Sequence, residues 1–162
     1  MSPTGTTAMT AAARAAALQE KIDNRTAVIG IVGLGYVGLP LARAVLDGGY
    51  PVLGFDVDQR KIDALGEGRA YIEHLGPDFF TRLAADDRFA ATADSSELAK
   101  ADLILLCVPT PLGPHREPDL AYVLESTRMV AKVLRPGQPV ALESTTYPGT
   151  TRDGMLPILE QA

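Results

Sequence analysis

The 162-residue sequence contains no tryptophan, one cysteine and only 6% aromatic residues. A single thiol excludes an intramolecular disulfide and suits a reducing, cytoplasmic setting. No apolar run approaches the ~20 residues a membrane-spanning helix needs. Basic clusters are also missing. Fifteen Lys and Arg stand against 20 Asp and Glu, for a net charge of −5, which argues against nucleic acid as a partner. The two histidines, His74 and His115, have no ligand spacing to one another, to Cys107 or to a carboxylate, so no metal site is expected. Met1–Ala17 is rich in Ala and Thr but lacks a basic start and a Leu/Val-rich stretch, so it is a poor signal peptide. Its first ten residues read as disordered.

What is present is an ordinary globular composition, 46% hydrophobic and 22% charged, at a length typical of one domain. Ala27–Val32 is an apolar, β-branched run, and it leads directly into the G-x-G-x-x-G turn Gly33-Leu34-Gly35-Tyr36-Val37-Gly38. Gly33 permits a tight turn, Gly35 removes a Cβ that would block a pyrophosphate, and Gly38 lets the next helix pack closely on the strand. That helix then directs its unpaired N–H groups and positive dipole end at the phosphates. An acid, Asp56, closes the second apolar run, Pro51–Phe55. Strand, turn, helix and acid together predict dinucleotide binding. A carboxylate at that place accepts from ribose hydroxyls and repels a 2′-phosphate by about 1–4 kcal/mol at ~4 Å, which favours NAD over NADP. Lys61 has three possible roles: greeting a phosphate, lying along the adenine edge, or pairing with Asp58.

The rest of the chain alternates. Helices are predicted over Val37–Leu46, over Asp58–Leu65 with Asp58 as N-cap, around Phe79–Ala85, over Leu120–Leu134 and over Thr150–Gln161, with Pro157 a point of interruption. A short strand is expected at Phe89–Thr92, followed by a brief helix Glu97–Lys100 capped by Ser95 or Ser96. Leu103–Val108 reads as a parallel strand buried on both faces, and Val140–Ser144 as the next strand. An additional helix, Ala11–Ile22, uses Leu18 and Ile22 for its apolar side. The fold class is therefore α/β, a doubly wound, mostly parallel sheet of Rossmann type. Residues 1–22 form a tail and short helix, and 23–162 the dinucleotide-binding domain. Ligands in such a sheet bind beyond the carboxyl ends of the strands, where Gly33–Gly38, Asp56, Val108–Pro111 and Ser144–Gly149 all fall.

Four segments in order carry a family resemblance: Gly33–Pro40; Phe55–Asp58 with Lys61-Ile62; Cys107–Leu112; and Glu143–Thr151. Together they resemble the N-terminal domain of the nucleotide-sugar 6-dehydrogenases, the UDP-glucose/GDP-mannose dehydrogenase family. Arg116-Glu117-Pro118-Asp119-Leu120 is most similar to the branch that oxidises UDP-N-acetylhexosamines. The resemblance implies an oxidoreductase serving polysaccharide biosynthesis, which converts a sugar C6 alcohol to a carboxylate in two NAD-dependent steps. A cysteine thiolate traps the aldehyde, and a thioester is then hydrolysed. By position, Gly33, Gly35, Tyr36, Val37 and Gly38 form the pyrophosphate turn, with main-chain contacts from Tyr36 and Val37. Asp56 and Lys61 hold the adenosine ribose, and Thr110 lies near the nicotinamide ribose. Thr145 lines the nicotinamide end and orders the hydrolytic water. The family's nucleophilic cysteine, its lysine, the glutamate after its sixth strand and its UDP-sugar-binding domain fall beyond a point equivalent to Ala162. The expectation is a cofactor domain that is inactive alone, with NAD as cofactor and a UDP-sugar as substrate of the full-length enzyme. The particular sugar and the oligomeric state, a homo-oligomer included, stay open.

Individual residues admit blander roles. Cys107, in an apolar strand, reads as a small hydrophobe rather than a nucleophile. Glu143 reads as a strand-end acid bonded to neighbouring backbone, with general base as the alternative. Thr110 is a turn residue or a cofactor contact. Arg116 and Glu117 form either a solvated turn or part of a substrate or domain interface. Two other functions compete: the cofactor domain of a β-hydroxyacid-type dehydrogenase, and a non-enzymatic NAD-binding module.

Overall fold

The protein is described by a computed structural model covering residues 9–113 and 117–161. The chain opens with helix α1 (Ala11–Asp23) and then forms β1 (Ile29–Val32), α2 (Gly38–Asp47), β2 (Val52–Phe55), α3 (Gln59–Gly66), α4 (Pro77–Ala84) and β3 (Phe89–Thr92). β4 (Leu103–Leu106), α5 (Ala121–Ala131), β5 (Val140–Leu142) and the short α6 (Leu156–Leu159) complete it. All strand pairs are parallel, in the order β3-β2-β1-β4-β5, and the register sets Ile31 beside Gly54 on one side and Leu105 on the other. The chain therefore runs outward from β1 through β2 to β3, then returns to the far side of β1 for β4 and β5.

Right-handed crossovers in opposite directions put the helices on opposite faces. Leu39, Ala42 and Leu46 of α2, Leu65 of α3 and Phe80 and Leu83 of α4 pack with Ile29, Ile31 and Val52 in one core cluster. Val123 and Val130 of α5, with Leu98 and Met155, pack on Val32, Phe55, Ile104 and Leu106 in the other. β1 and β2 are buried along their whole length, as a central parallel strand should be. In β4 only Ile104 and Leu106 are buried; Leu103 and Leu105 are half-covered on the face that α2–α4 share.

Several local expectations change. The turn at Ser95–Lys100 is a 3₁₀ helix capped by Asp94, whose carboxylate accepts from the Ser96 N–H at 2.9 Å; a carboxylate one residue earlier displaces both serines from that role. β4 ends at Leu106, so Cys107 lies just beyond the strand rather than in it, and β5 ends at Leu142, before Glu143. The C-terminal segment is not one α-helix. Thr150–Met155 is wound as a π-helix ahead of α6, where Pro157 has no N–H for the carbonyl four residues back. The segment Met1–Ala8, together with His115 and Arg116, lies outside the described residues.

Candidate functional site

Because the strand order switches at β1, the carboxyl ends of β1 and β4 lie side by side while their following loops lead to opposite faces. Two adjoining clefts open there. One, of about 400 Å³, is bounded by Gly33, Gly35, Tyr36, Val37, Tyr71 and Ile72. The other, of about 450 Å³, runs from Asp56 and Val57 to Tyr122, Glu125, Ser126 and Met129 on α5. Gly33, Asp56, Lys61, Val108 and Pro109 border both.

Backbone geometry explains the glycine turn. Gly33 has φ +96°, and a Cβ on it would stand 2.6 Å from the Cys107 carbonyl oxygen. A Cβ on Gly38 would stand 1.8 Å from the Gly33 carbonyl oxygen, so Gly38 serves the packing of α2 against the turn. Gly35 differs: a Cβ there would meet nothing within 4 Å. The turn's first two N–H groups are answered, Gly33 by the Phe55 carbonyl (2.8 Å) and Leu34 by Asp56 Oδ2 (2.9 Å). The next three, on Gly35, Tyr36 and Val37, donate to no acceptor among the described residues, and α2 has no side-chain cap. By contrast α3, which starts at the same edge, is capped by Asp58. A run of free N–H groups at an uncapped helix start, with open space above Gly35, fits a pyrophosphate.

Asp56, only 6% exposed, holds the floor. It accepts from the Leu34 and Asp58 N–H groups (2.9 and 3.0 Å) and pairs with Lys61 Nζ at 2.7 Å. Lys61 thus pairs with Asp56 rather than Asp58, which is taken by Arg60 at 2.8 Å. Three bonds leave about one of the carboxylate's four lone-pair positions for a ribose hydroxyl, and the ammonium can donate to a ribose oxygen. The neighbouring cation also weakens the repulsion that Asp56 alone would exert on a 2′-phosphate.

Thr110 and Thr145 lie on the rim rather than in either cleft. The Thr110 hydroxyl donates to the Thr145 carbonyl at 2.8 Å, and the Ser144 hydroxyl donates to the Val108 carbonyl at 2.6 Å. These two bonds stitch the loop after β4 to the loop after β5. Cys107 is buried, and its thiol is pushed up to about 11 by desolvation and then by the charge of Glu143. Glu143 is exposed; its main-chain N–H donates to the Leu106 carbonyl, but its carboxylate takes no hydrogen bond among the described residues, contrary to the strand-end role expected.

Two groups of lining residues escape a motif-based reading. Tyr122, Glu125, Ser126 and Met129 follow i, i+3, i+4, i+7 spacing, so one face of α5 borders the cleft while Val123, Thr127 and Val130 are buried on the other. The helical period was the available signal. Tyr71 and Ile72, from the loop before α4, had none. Among the described residues no group of His, Cys, Asp and Glu could hold a metal ion, and no helix is long and apolar enough to cross a membrane.

Residues 27–162 match the UDP-glucose/GDP-mannose dehydrogenase family, NAD binding domain. The chain is 38% identical over 130 residues to an NDP-N-acetyl-D-galactosaminuronic acid dehydrogenase of Ralstonia nicotianae, covering 80% of this chain and 30% of that protein. It is 35% identical over 133 residues to the UDP-N-acetyl-D-glucosamine 6-dehydrogenase of Pseudomonas aeruginosa, covering 82% and 31%. The solved structure of a UDP-D-ManNAc dehydrogenase from Pyrococcus horikoshii superposes with a TM-score of 0.75 at 34% identity, over 83% of this chain and 32% of that one. The chain thus spans about a third of the length of these relatives. Of the three functional readings drawn from the sequence, these similarities favour the first.

Proposed function

This chain belongs to the UDP-glucose/GDP-mannose dehydrogenase family as its NAD-binding domain, and on that premise we propose that it holds NAD across the carboxyl edge of its sheet, as the cofactor half of an enzyme oxidising the C6 alcohol of a UDP-N-acetylhexosamine. The observation that carries this reading is the run of free N–H groups on Gly35, Tyr36 and Val37 beside an open Gly35. The substrate class follows the relatives named for N-acetylated nucleotide sugars.

When bound, NAD supplies the hydride acceptor. The chain's own residues bind and orient. The N–H groups of Tyr36 and Val37, with that of Gly35, donate to the pyrophosphate, and the positive end of α2 adds its dipole. Asp56 and Lys61 would hold the ribose hydroxyls, and the α5 face from Tyr122 to Met129, which lines the same cleft, would take the adenine. The loops carrying Thr110 and Thr145, whose spacing their mutual hydrogen bond fixes, would hold the nicotinamide end. Thr145 there orders the water used in hydrolysis of the covalent intermediate.

Calorimetry with NAD and NADP tests the reading. NAD should bind about tenfold tighter, near the low end of what an unscreened carboxylate would give, because Lys61 offsets Asp56. Asp56→Asn should narrow the preference to about threefold or less. Equal affinity of the unaltered chain for both would overturn the ribose assignment, and no NAD binding at all would overturn the function.

A further inference from the structure

We propose that Tyr71 is a positioning residue for the dinucleotide turn, acting through the Leu34–Gly35 peptide; this rests on the NAD-binding reading above. The Tyr71 hydroxyl donates to the Leu34 carbonyl at 2.8 Å, across 37 residues of sequence. The Leu34 N–H is held on its other side by Asp56 at 2.9 Å. Leu34 is therefore held through both of its peptide groups, the one before it by the floor of the site and the one after it, which enters the free N–H run, by a loop outside the glycine motif.

The geometry gives this tie a consequence. In a trans peptide the carbonyl and the following N–H point in opposite directions. Drawing the Leu34 carbonyl toward Tyr71 turns the Gly35 N–H away from it, and that N–H is the first of the three without a protein acceptor. A donor on the carbonyl also polarises the same peptide's N–H, strengthening it toward an anion. The phenol is well suited to stay a donor. Burial, then the charges of Asp56 and Asp58, raise its pKa above the usual tyrosine range, so it stays protonated.

Its ring is anchored independently of the hydroxyl, edge-on against Phe80 at 5.0 Å, with Ile72 buried beside it. A second contact from the same loop reaches the turn: the His74 ring stacks on Tyr36, centroids 5.1 Å apart and planes within 5°. The loop from Tyr71 to His74 thus holds the turn at Leu34 and again at Tyr36.

Tyr71→Phe removes the hydroxyl and keeps the ring on Phe80, so the fold should survive. Calorimetry with NAD, ADP-ribose and adenosine, beside a melting curve, provides the test. One hydrogen bond of ordinary net strength predicts that NAD and ADP-ribose weaken about five- to tenfold. Adenosine, which lacks the pyrophosphate, should bind unchanged, and Tm should stay within a few degrees. His74→Ala should weaken NAD about twofold, again sparing adenosine. Wild-type NAD affinity retained in Tyr71→Phe would overturn the proposal and leave the functional reading standing. So would an equal loss for NAD and adenosine with a lowered Tm. Failure of the unaltered chain to bind NAD would instead overturn the functional reading and this role with it.

Discussion

The two edges of the sheet are built from the same groups and use them in opposite ways. At the amino edge, carbonyl oxygens at helix and turn ends are answered by cations and amides. Arg88 donates to the Leu46 carbonyl (2.9 Å) and Arg135 to that of Ala101 (2.6 Å), and Arg25 donates to the Gly48 carbonyl while lying over the Tyr50 ring. Gln138, nearly buried, bonds the Leu98 and Ala101 carbonyls, and Asp102 joins Lys21 of α1 to the Val28 N–H. At the carboxyl edge α2 begins with no side-chain cap and three free N–H groups, and Tyr36, Val37, Leu112 and Tyr147 stand exposed. A closed edge holds the fold, and an open edge leaves donors free for the ligand proposed above. The difference lies in which polar groups have been given partners.

The sharpest way to break this contrast is at two glycines three residues apart. Gly35→Val places a side chain where nothing stands within 4 Å, so it should fold normally yet lose NAD affinity by about a hundredfold or more. Gly38→Val drives a Cβ into the Gly33 carbonyl and should destabilise the protein by about 3 kcal/mol or more. Calorimetry and thermal melts on both variants decide it. A Gly35→Val protein with unchanged affinity would make the turn purely structural.

Chemistry at the open edge should still exclude its thiol. At pH 8 a thiol titrating at about 11 is ionised roughly a hundredfold less than one at 9. Iodoacetamide should therefore alkylate Cys107 about a hundredfold more slowly than a free cysteine, with a rate still rising above pH 10. For the same reason these 162 residues should form no uronic acid from NAD and UDP-N-acetylglucosamine, since the aldehyde left by a first hydride transfer would find no thiolate to trap it. Turnover abolished by Cys107→Ser would reverse that conclusion.

The smallest effect belongs to the closed edge. Asp102→Ala strands the Val28 N–H and frees Lys21, which should cost about 1–2 kcal/mol, or roughly 2–8 °C in Tm. NAD affinity should not move. A fall in affinity would show that the edges are coupled, and the contrast between them would lose its meaning.

Much of this was readable along the chain because it is local. Apolar β-branched runs gave strands, the spacing of Gly33, Gly35 and Gly38 gave the turn, and Asp56 stood where a second strand had to end. What escaped depends on partners distant in sequence. Nothing near Tyr71 indicates that its hydroxyl meets Leu34, nor near Gln138 that it answers carbonyls 37 and 40 residues away. The choice of Lys61 between two acids five and three residues back turned on burial. Asp56 is sunk at the strand end, while Asp58 is occupied by Arg60. Thr110 and Thr145 were legible as strand-end residues, but not as partners of each other.

Asp56 faces two masters. The carboxylate proposed for the ribose also accepts the Leu34 N–H and so shapes the turn proposed for the pyrophosphate. Cofactor preference at this position is consequently not a free variable under mutation. A change to a small neutral residue, the shortest path toward accepting a 2′-phosphate, also slackens the phosphate cradle that both cofactors need. A path toward NADP would first have to supply Leu34 with another acceptor, which makes the order of substitutions, and not only their sum, decide whether the intermediate proteins still bind.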